Sequence, residues 1–226
     1  GTRFHIFRHQ PDDSTSIASD YINDVLITPD QTVFIGTKEG LSIFQPETFS
    51  FKQTPVIFED GYGLLDKHVR ALHPEDEKHI WVETFNGILH RLNTETFNAE
   101  TFPHEKPSQP YYDYHALLKD TRGTLWIGGR NMGPLRMDLP GNIKKIENDP
   151  LNPQKKRDSD VAFFYEDSDK DFWMGGLDGL YHYDRDNDIF TKRMHTSSYD
   201  MTEGMDGNLW IATGHGLAKL DKKNGV

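Results

Sequence analysis

One short run of side chains is well suited to hold a ligand: YYDYH, at residues 111–115. Aromatic faces make apolar contacts with a sugar ring, and carboxylate or guanidinium groups make directional hydrogen bonds to its hydroxyls. An arginine and an asparagine follow in the next turn, and two later turns carry an aspartate and a histidine. The candidate ligand-binding residues are Tyr111, Tyr112, Asp113, Tyr114, His115, Arg130, Asn131, Asp178 and His215.

Tyrosines at such positions can also pack against neighbouring strands, and for any single tyrosine we favour packing. For the cluster taken together with Arg130 and Asn131, we favour ligand binding. The corresponding links and turns of the other repeats carry further polar and aromatic residues, among them Tyr21, His68, Phe85 and Tyr199, which are not selected as candidates.

Two acidic runs have aspartate spacings that also occur in metal-binding loops. DSDKD at 167–171 and DRDND at 184–188 both show the D-x-D-x-D spacing of calcium loops. Both lack the turn glycine and the closing glutamate of that loop, so solvated turns are favoured and no metal site is predicted.

Enzyme chemistry finds little support. The chain has 11 histidines and no cysteine, which excludes disulfides and thiol nucleophiles. Neither G-x-S-x-G nor H-E-x-x-H occurs. We therefore expect no catalytic residues and no cofactor.

The charge balance limits the partners. There are 25 Lys+Arg against 36 Asp+Glu, for a net charge of −11. An acidic chain is poorly suited to bind nucleic-acid phosphates or an anionic membrane surface, so neither is expected.

The sequence begins GTRFHIF without Met or a leader. We expect a fragment of a longer protein, so the missing leader says nothing about location.

A repeated phrase organises the chain. It reads VFIGT, HIWVET, GTLWIGG, DFWMGG and GNLWIAT in successive copies, and all four tryptophans occupy its aromatic position. The anchor residues follow one another at spacings of 47, 45, 47 and 37 residues, and a glycine comes six residues after each anchor except the third, where it comes seven after. The anchors are Phe34, Trp81, Trp126, Trp173 and Trp210.

Each copy predicts four short strands, here called a to d, separated by polar or glycine turns. Four antiparallel strands in about 40 to 50 residues are the unit of a β-propeller blade. The fold class predicted is all-β, a β-propeller of five four-stranded antiparallel blades, either a closed five-bladed ring or an arc of a larger propeller. The blade cores are expected near residues 22–58, 69–102, 114–148, 161–194 and 198–220, within a single domain spanning 1–226. Residues 3–9 resemble a spare outer strand that the last blade lacks.

The repeated aromatic position is explained by packing between blades. Each blade needs a large side chain to fill the wedge beside its neighbour, and the small residues that follow the anchor let the next backbone approach. The alternative, that these rings stack on sugars, is less favoured. The candidate ligand residues fall in d–a links and b–c turns, which share one end of a propeller near its channel.

The phrase D-G-x-LWIGT-x-x-GL, followed by D-x-x-(N/T)-x-x-F, resembles the two-component regulator propeller repeat. Its link segments are similar to HQPDDSTSIASDYINDV at 9–25 and DGYGLLDKHVRAL at 60–72. The resemblance implies the periplasmic sensor region of a hybrid two-component histidine kinase from Bacteroidetes. It also implies a response to oligosaccharides and control of polysaccharide-utilisation genes.

The resemblance implies three further expectations. The chain itself is not expected to be an enzyme. Its parent is expected to be a histidine kinase of the inner membrane, and this piece is expected to make no direct contact with that membrane. Its partners are an oligosaccharide and the remaining ectodomain, and a homodimer is left open. The alternatives are a protein-interaction scaffold without small-ligand binding and, less favoured, a propeller lyase or lactonase.

Overall fold

The computed structural model describes residues 4–53, 57–58, 68–85, 88–102, 115–129, 133–138, 142–146 and 160–222. The chain divides into two compact units, Gly1–Lys106 and Pro107–Val226. Every regular element in the described residues is a β-strand. No described helix is long and apolar enough to cross a membrane.

The first unit contains sheets I and II. Sheet I has the order β1-β2-β3-β4 and is antiparallel throughout. Its strands are β1 (Ile22–Ile27), β2 (Val33–Thr37), β3 (Gly40–Gln45) and β4 (Ser50–Gln53). Sheet II has the order β5-β9-β8-β7-β6. Its strands are β5 (Ile57–Phe58), β6 (Val69–Pro74), β7 (His79–Thr84), β8 (Leu89–Asn93) and β9 (Asn98–Phe102).

The second unit contains sheets III, IV and V, with strands in chain order in each. Sheet III comprises β10 (His115–Lys119), β11 (Leu125–Gly129), β12 (Leu135–Asp138) and β13 (Asn142–Lys145). Sheet IV comprises β14 (Phe163–Glu166), β15 (Phe172–Gly176), β16 (Gly179–Asp184) and β17 (Ile189–Met194). Sheet V comprises β18 (Ser198–Glu203), β19 (Leu209–Thr213) and β20 (Gly216–Leu220).

The prediction of an all-β chain built from five antiparallel propeller blades is confirmed, with a three-stranded last blade. Two details differ from the sequence expectation. Residues 57–58 fall outside the first blade, because β5 pairs in parallel with β9 of sheet II. Residues 4–9 form no strand. They lie instead over sheet I, where the Phe7 ring is 5.4 Å from Phe44 and 5.1 Å from Phe51 between ring centroids.

Within each unit, the first strand of a sheet packs on the sheet before it. Strand β6 lies against β1 and β2, β14 lies against β10, and β18 lies against β14 and β15. The anchors sit on the second strand of each blade, and Phe34, Trp126 and Trp173 pack against the following sheet of their own unit. The side chains of Phe34, Trp81, Trp126 and Trp173 are at most 7% exposed. Trp210 is only half-buried.

Small residues after the anchors allow this close stacking. A Cβ added at Gly128 would lie 2.5 Å from the Val161 side chain, and one at Gly176 would lie 1.7 Å from the backbone oxygen of Asp160. Contacts of this length are forbidden, so these positions accept only glycine without movement of the neighbouring link.

Candidate functional site

One end of each sheet, here called the link end, brings together the link that enters strand a and the b–c turn. In three repeats a backbone hydrogen bond ties the two segments. Lys38 donates its N–H to the carbonyl oxygen of Tyr21 at 3.1 Å, and Phe85 donates to His68 at 2.8 Å. Gly214 donates in the same way to the carbonyl of Ser197 at 3.0 Å.

The bonded residues stand at fixed distances from the anchor, 13 residues before it and four after it. We call them the link–turn pair. The side chains at these two positions differ among the three bonded repeats, while the backbone connection recurs. The pairs are Tyr21 with Lys38, His68 with Phe85, and Ser197 with Gly214. A constant backbone with variable side chains is typical of a surface that recognises a ligand.

The link end of the first unit carries a cluster of exposed rings, here called the ring platform and made of Tyr21, His68 and Phe85. The imidazole of His68 stacks on Phe85 with 4.8 Å between centroids and 5° between planes. Tyr21 meets His68 edge-on, with centroids 6.1 Å apart at 90°. Tyr21 is 60% exposed and Phe85 is 39% exposed.

The ring platform joins two blades. Tyr21 belongs to the link before β1, whereas His68 and Phe85 flank sheet II. The Arg70 guanidinium lies 5.5 Å from the Phe85 ring centroid, beside the stack. The Asn23 side-chain amide donates to the backbone oxygen of Val69 at 2.7 Å, which ties β1 to β6 beside the rings. The rings are therefore held before any ligand arrives, which lowers the entropy cost of binding.

Most of the residues predicted for the site lie outside the described residues. These are Tyr111, Tyr112, Asp113, Tyr114, Arg130 and Asn131, and for His115 only the backbone, the start of β10, is described. Counting from Trp126 places Asp113 and Arg130 at the two link–turn positions of the third repeat.

Asp178 and His215 lie in the b–c turns of sheets IV and V, at the link end of the second unit. Asp178 is half-buried and His215 is exposed. The Thr213 hydroxyl accepts the backbone N–H of His215 at 3.2 Å and so shapes the turn. Tyr199, 42% exposed, lies close by at the start of β18. The sequence interpretation left out both Tyr199 and the ring platform. Counting positions from the anchors would have placed His68 and Phe85 as a link–turn pair.

At the opposite end of sheets III and IV, a buried aspartate binds the anchor indole and the neighbouring turn. In sheet III, the Asp120 carboxylate accepts the Trp126 indole N–H at 3.1 Å and the backbone N–H groups of Arg122 and Thr124, both at 3.0 Å. In sheet IV, Asp167 accepts Trp173 Nε1 at 3.1 Å in the same way. Each aspartate stands six residues before its anchor and is buried.

A cation from the following sheet completes each of these two arrangements. Arg185 donates to Asp120 and to Glu166, both at 3.0 Å. Lys222 takes the same place beside Asp167, at 3.0 Å, and Glu203, at 3.3 Å. Both cations stand 12 residues after their own anchor. Burial opposes the charge of Lys222, but the hydrogen bonds that its ammonium donates to Asp169 and Asp167 outweigh burial and raise the pKa of Lys222 well above its usual value.

The two glutamates also cap the turn of the sheet before them. Glu166 accepts the backbone N–H of Thr121 at 2.7 Å and its hydroxyl at 2.9 Å. Glu203 does the same for Ser168, at 2.8 Å and 2.6 Å. These hydrogen bonds, which hold Glu203 as a carboxylate, lower the pKa of that group. Together with the cations they form a clamp between consecutive sheets, found at both sheet junctions of the second unit.

A further polar contact links sheets III and IV at their outer strands. Asp188 binds Lys144 and the Tyr183 hydroxyl, and Arg136 donates to Asp188 at 2.6 Å. Burial and the hydrogen bond to Asp188 raise the pKa of Tyr183 to about 12. Burial works against the Asp188 carboxylate, but Lys144, Tyr183 and Arg136 outweigh it and lower the pKa of Asp188.

These contacts correct the interpretation of the two acidic runs as solvated turns at one aspartate in each run, whereas Asp169, Asp171 and Asp186 are exposed as expected. Asp167 is 2% exposed and is bound to an indole and a lysine, and Asp188 is an ion-pair partner. One other group, Glu75, Asp76 and His79, brings potential metal-ligand atoms within 4.8 Å of one another. These side chains already have partners: Glu75 pairs with Arg91 at 2.6 Å, and Asp76 makes a hydrogen bond with His79 Nδ1 at 2.9 Å.

Comparison with solved structures places the fold. The extracellular domain of BT3049, a proposed hybrid two-component system of B. thetaiotaomicron, matches 99% of this chain with a TM-score of 0.71 and 24% identity. The extracellular domain of BT4673, a proposed one-component system of the same organism, matches 98% with a TM-score of 0.69 and 15% identity. This chain spans only 30% and 31% of those two chains.

A lyase shares the same architecture. A catalytically inactive variant of virginiamycin B lyase from Staphylococcus aureus, solved with quinupristin, matches 98% of this chain and 71% of its own, with a TM-score of 0.64 and 16% identity. No protein-family model matches the sequence, and no curated protein matches it. At these identities the likeness shows a propeller fold and leaves function to be argued from the site.

Proposed function

We propose that this chain is a propeller segment of the ectodomain of a periplasmic two-component sensor and that it binds an oligosaccharide at its link end. The observation that carries the proposal is the ring platform on a backbone framework that recurs from blade to blade. The structural likeness to two extracellular domains of bacterial signalling systems supports the sensor role. The resemblance of the sequence repeat to the two-component regulator propeller repeat supports it as well.

The chemistry of the ring platform favours a sugar. A pyranose ring presents C–H groups on one face, which pack on aromatic rings, and hydroxyls around its edge. Tyr21 offers an exposed face and a hydroxyl. Lys38 and Glu39 are exposed in the adjoining b–c turn and can reach hydroxyls beside the rings. The mixture of aromatic faces with both signs of charge suits a polar, ring-shaped ligand.

The proposal extends to the residues of the third repeat. Asp113 and Arg130 carry complementary groups at the two link–turn positions, and Tyr111, Tyr112 and Tyr114 surround the first of them in sequence. In the second unit, Asp178 and His215 occupy the corresponding turns. We propose that the link–turn residues of the second unit bind ligand within that unit, with Arg130 serving as a bidentate donor to sugar hydroxyls or to a carboxylate.

The test is isothermal titration of the chain against plant, fungal and host oligosaccharides, with Tyr21→Ala and Phe85→Ala beside the wild type. We expect saturable binding of one glycan class. Loss of one stacking ring costs about 1.4 kcal/mol, or roughly tenfold in Kd. The matched control is Phe4→Ala, which removes a ring that is 84% exposed and not part of the platform.

Two results would contradict the proposal. The absence of measurable binding to every oligosaccharide in the panel would favour a scaffold that binds protein partners instead of a small ligand. Saturable binding that is unchanged by Tyr21→Ala and Phe85→Ala would remove the ring platform from the site, and Tyr112→Ala and Arg130→Ala would then be tested in its place. Signal transmission would follow from a rigid-body shift of the ectodomain, since the clamped sheets of the second unit resist internal change.

A further inference from the structure

A β-bulge near the start of strand a gives the link end a third variable position. In sheets I, II and V, the pairing of strands a and b shifts register at the same place, 11 residues before the anchor. The residues at this position, here called the bulge residues, are Asn23, Arg70 and Tyr199. A bulge turns a side chain out of the regular alternation of a strand, and bulges are common beside functional sites. In sheet V, the Asp200 carboxylate accepts the N–H of Met201 at 2.8 Å and so holds the bulge.

The bulge residue lies against the turn residue of its own link–turn pair. In sheet II, the guanidinium of the bulge residue Arg70 is 5.5 Å from the ring centroid of Phe85. In sheet V, the turn residue is Gly214, and a Cβ added there would lie 3.5 Å from the Tyr199 hydroxyl. The Tyr199 ring therefore borders space that a side chain fills in sheet II, and this ring is 42% exposed.

Hydrogen bonds fix the segments around Tyr199. The Ser197 hydroxyl donates to the carbonyl oxygen of Leu177 at 2.9 Å, which ties the link of sheet V to the b–c turn of sheet IV. The Gly214 N–H donates to the carbonyl oxygen of Ser197 at 3.0 Å, which ties the same link to the b–c turn of sheet V. The surroundings of the ring are therefore formed in the free protein, and this lowers the entropy cost of binding a ligand there.

The residue types around Tyr199 favour a neutral sugar. Leu177 stands four residues after its anchor, as Gly214 does, and its aliphatic side chain is 38% exposed. The described links and b–c turns of sheets IV and V are residues 160–162, 177–178, 195–197 and 214–215. Two of these residues are aspartates, Asp160 and Asp178, and none is lysine or arginine. A uronate or a sulfated sugar would meet like charge there, so an uncharged ligand fits better.

We propose that Tyr199 and Leu177 form a subsite for a 6-deoxyhexose, a neutral sugar whose C6 is a methyl group. The subsite rests on the proposed function, glycan binding at the link end, and gives the second unit a ligand class of its own. The Tyr199 ring packs on the C–H face of the pyranose, and the exposed His215 bonds its hydroxyls. Leu177 receives the methyl group. A hexose with a hydroxymethyl group would bury a hydroxyl against this aliphatic side chain without a partner, which weakens binding.

The experiment compares two pairs of sugars that differ only at C6: L-fucose with L-galactose, and L-rhamnose with L-mannose. Each sugar is titrated into the whole ¹³C-labelled chain, and Kd is taken from the shifts of the Leu177 methyl groups and the Tyr199 ring. The variants are Tyr199→Ala, in which Leu177 reports binding, and Leu177→Ala, in which Tyr199 reports it. The matched control is Met205→Ala, which removes a fully exposed apolar side chain at the opposite end of sheet V.

We expect one deoxy sugar to bind about fourfold more tightly than its hydroxymethyl counterpart, the contribution of one apolar carbon. Tyr199→Ala should weaken that binding about tenfold through loss of the stacking ring. Leu177→Ala should abolish the preference within the pair, and Met205→Ala should leave both affinities unchanged.

Three results would overturn the proposal. These are no saturable shift at Leu177 or Tyr199 with any of the four sugars, equal affinities within both pairs, and a preference that survives Leu177→Ala. Failure of this subsite is distinguishable from failure of the proposed function. If oligosaccharide binding that depends on Tyr21 and Phe85 is present while the deoxy sugars show no preference, only the subsite is refuted.

Discussion

Replacing Arg185 by methionine tests whether the clamp between sheets III and IV stabilises the second unit. The guanidinium lies between two carboxylates that have almost no contact with solvent, Asp120 at 0% and Glu166 at 8% side-chain exposure. Methionine keeps much of the apolar stem of arginine and removes the charge. The change leaves both carboxylates buried without their cation.

The magnitude follows from what each carboxylate keeps. Removing one partner of a buried ion pair costs about 3–5 kcal/mol because the other charge is left uncompensated. Asp120 retains the Trp126 indole and two backbone donors, and Glu166 retains two donors from Thr121. We therefore expect a loss near the lower limit, about 3 kcal/mol. A thermal midpoint falls by about 4 °C per kcal/mol in a unit of this size, so the expected shift is roughly 10 °C.

The assay is urea unfolding followed by tryptophan fluorescence, with Arg193→Met as the matched control. Arg193 is an exposed arginine on β17. The control is expected to change the free energy of unfolding by less than about 0.5 kcal/mol. A double-mutant cycle with Asp120→Asn should show a coupling energy of at least about 1 kcal/mol. If Arg185→Met costs no more than Arg193→Met, the clamp does not stabilise the unit.

Three other predictions use the same unfolding measurement. Gly176→Ala places a Cβ within 1.7 Å of a backbone oxygen and should lower the free energy of unfolding by about 3 kcal/mol or more. Its control, Gly123→Ala, meets nothing within 4 Å and should lose only about 1 kcal/mol from the strain of φ +87°. Similar losses in the two variants would contradict the close approach of the link. Trp126→Ala should lower the free energy of unfolding by about 3–5 kcal/mol, and Trp210→Ala should lower it clearly less because the Trp210 ring is only half-buried. Equal losses would show that Trp210 is fully packed in solution. Because the pKa of Tyr183 is raised to about 12, this hydroxyl ionises at lower pH in the unfolded state than in the folded state. The free energy of unfolding should therefore hold up to pH 10 and fall by up to about 2 kcal/mol between pH 10 and 12. A Tyr183→Phe variant that loses the same amount over that interval would refute this assignment.

The architecture could be predicted from sequence because the repeat is local. Each anchor, its following glycine and its flanking alternation lie within about 25 residues, and the observed strands follow that pattern. Strand β5 was missed because Ile57–Phe58 lies outside the four-strand phrase and pairs with a distant strand. The half-exposure of Trp210 was missed for a similar reason. An anchor is buried by the next sheet, which the anchor's own sequence does not describe.

The polar contacts were harder to predict, because they depend on which sheets are neighbours. Asp167 and Asp188 stand in runs whose sequence predicts solvated turns, yet stacking of sheets brings cations from 44 to 55 residues away to them. The ring platform has the same origin. Tyr21 and His68 are 47 residues apart and meet because they share one position in consecutive repeats.

Contact between the ring platform and a glycan can be observed at the rings themselves. Aromatic ¹³C chemical shifts are mapped during titration with the oligosaccharide that binds most tightly. We expect the largest saturable shifts at Tyr21, His68 and Phe85, with little change at Phe4. Saturable binding whose shifts leave all three rings of the platform unchanged would contradict this contact.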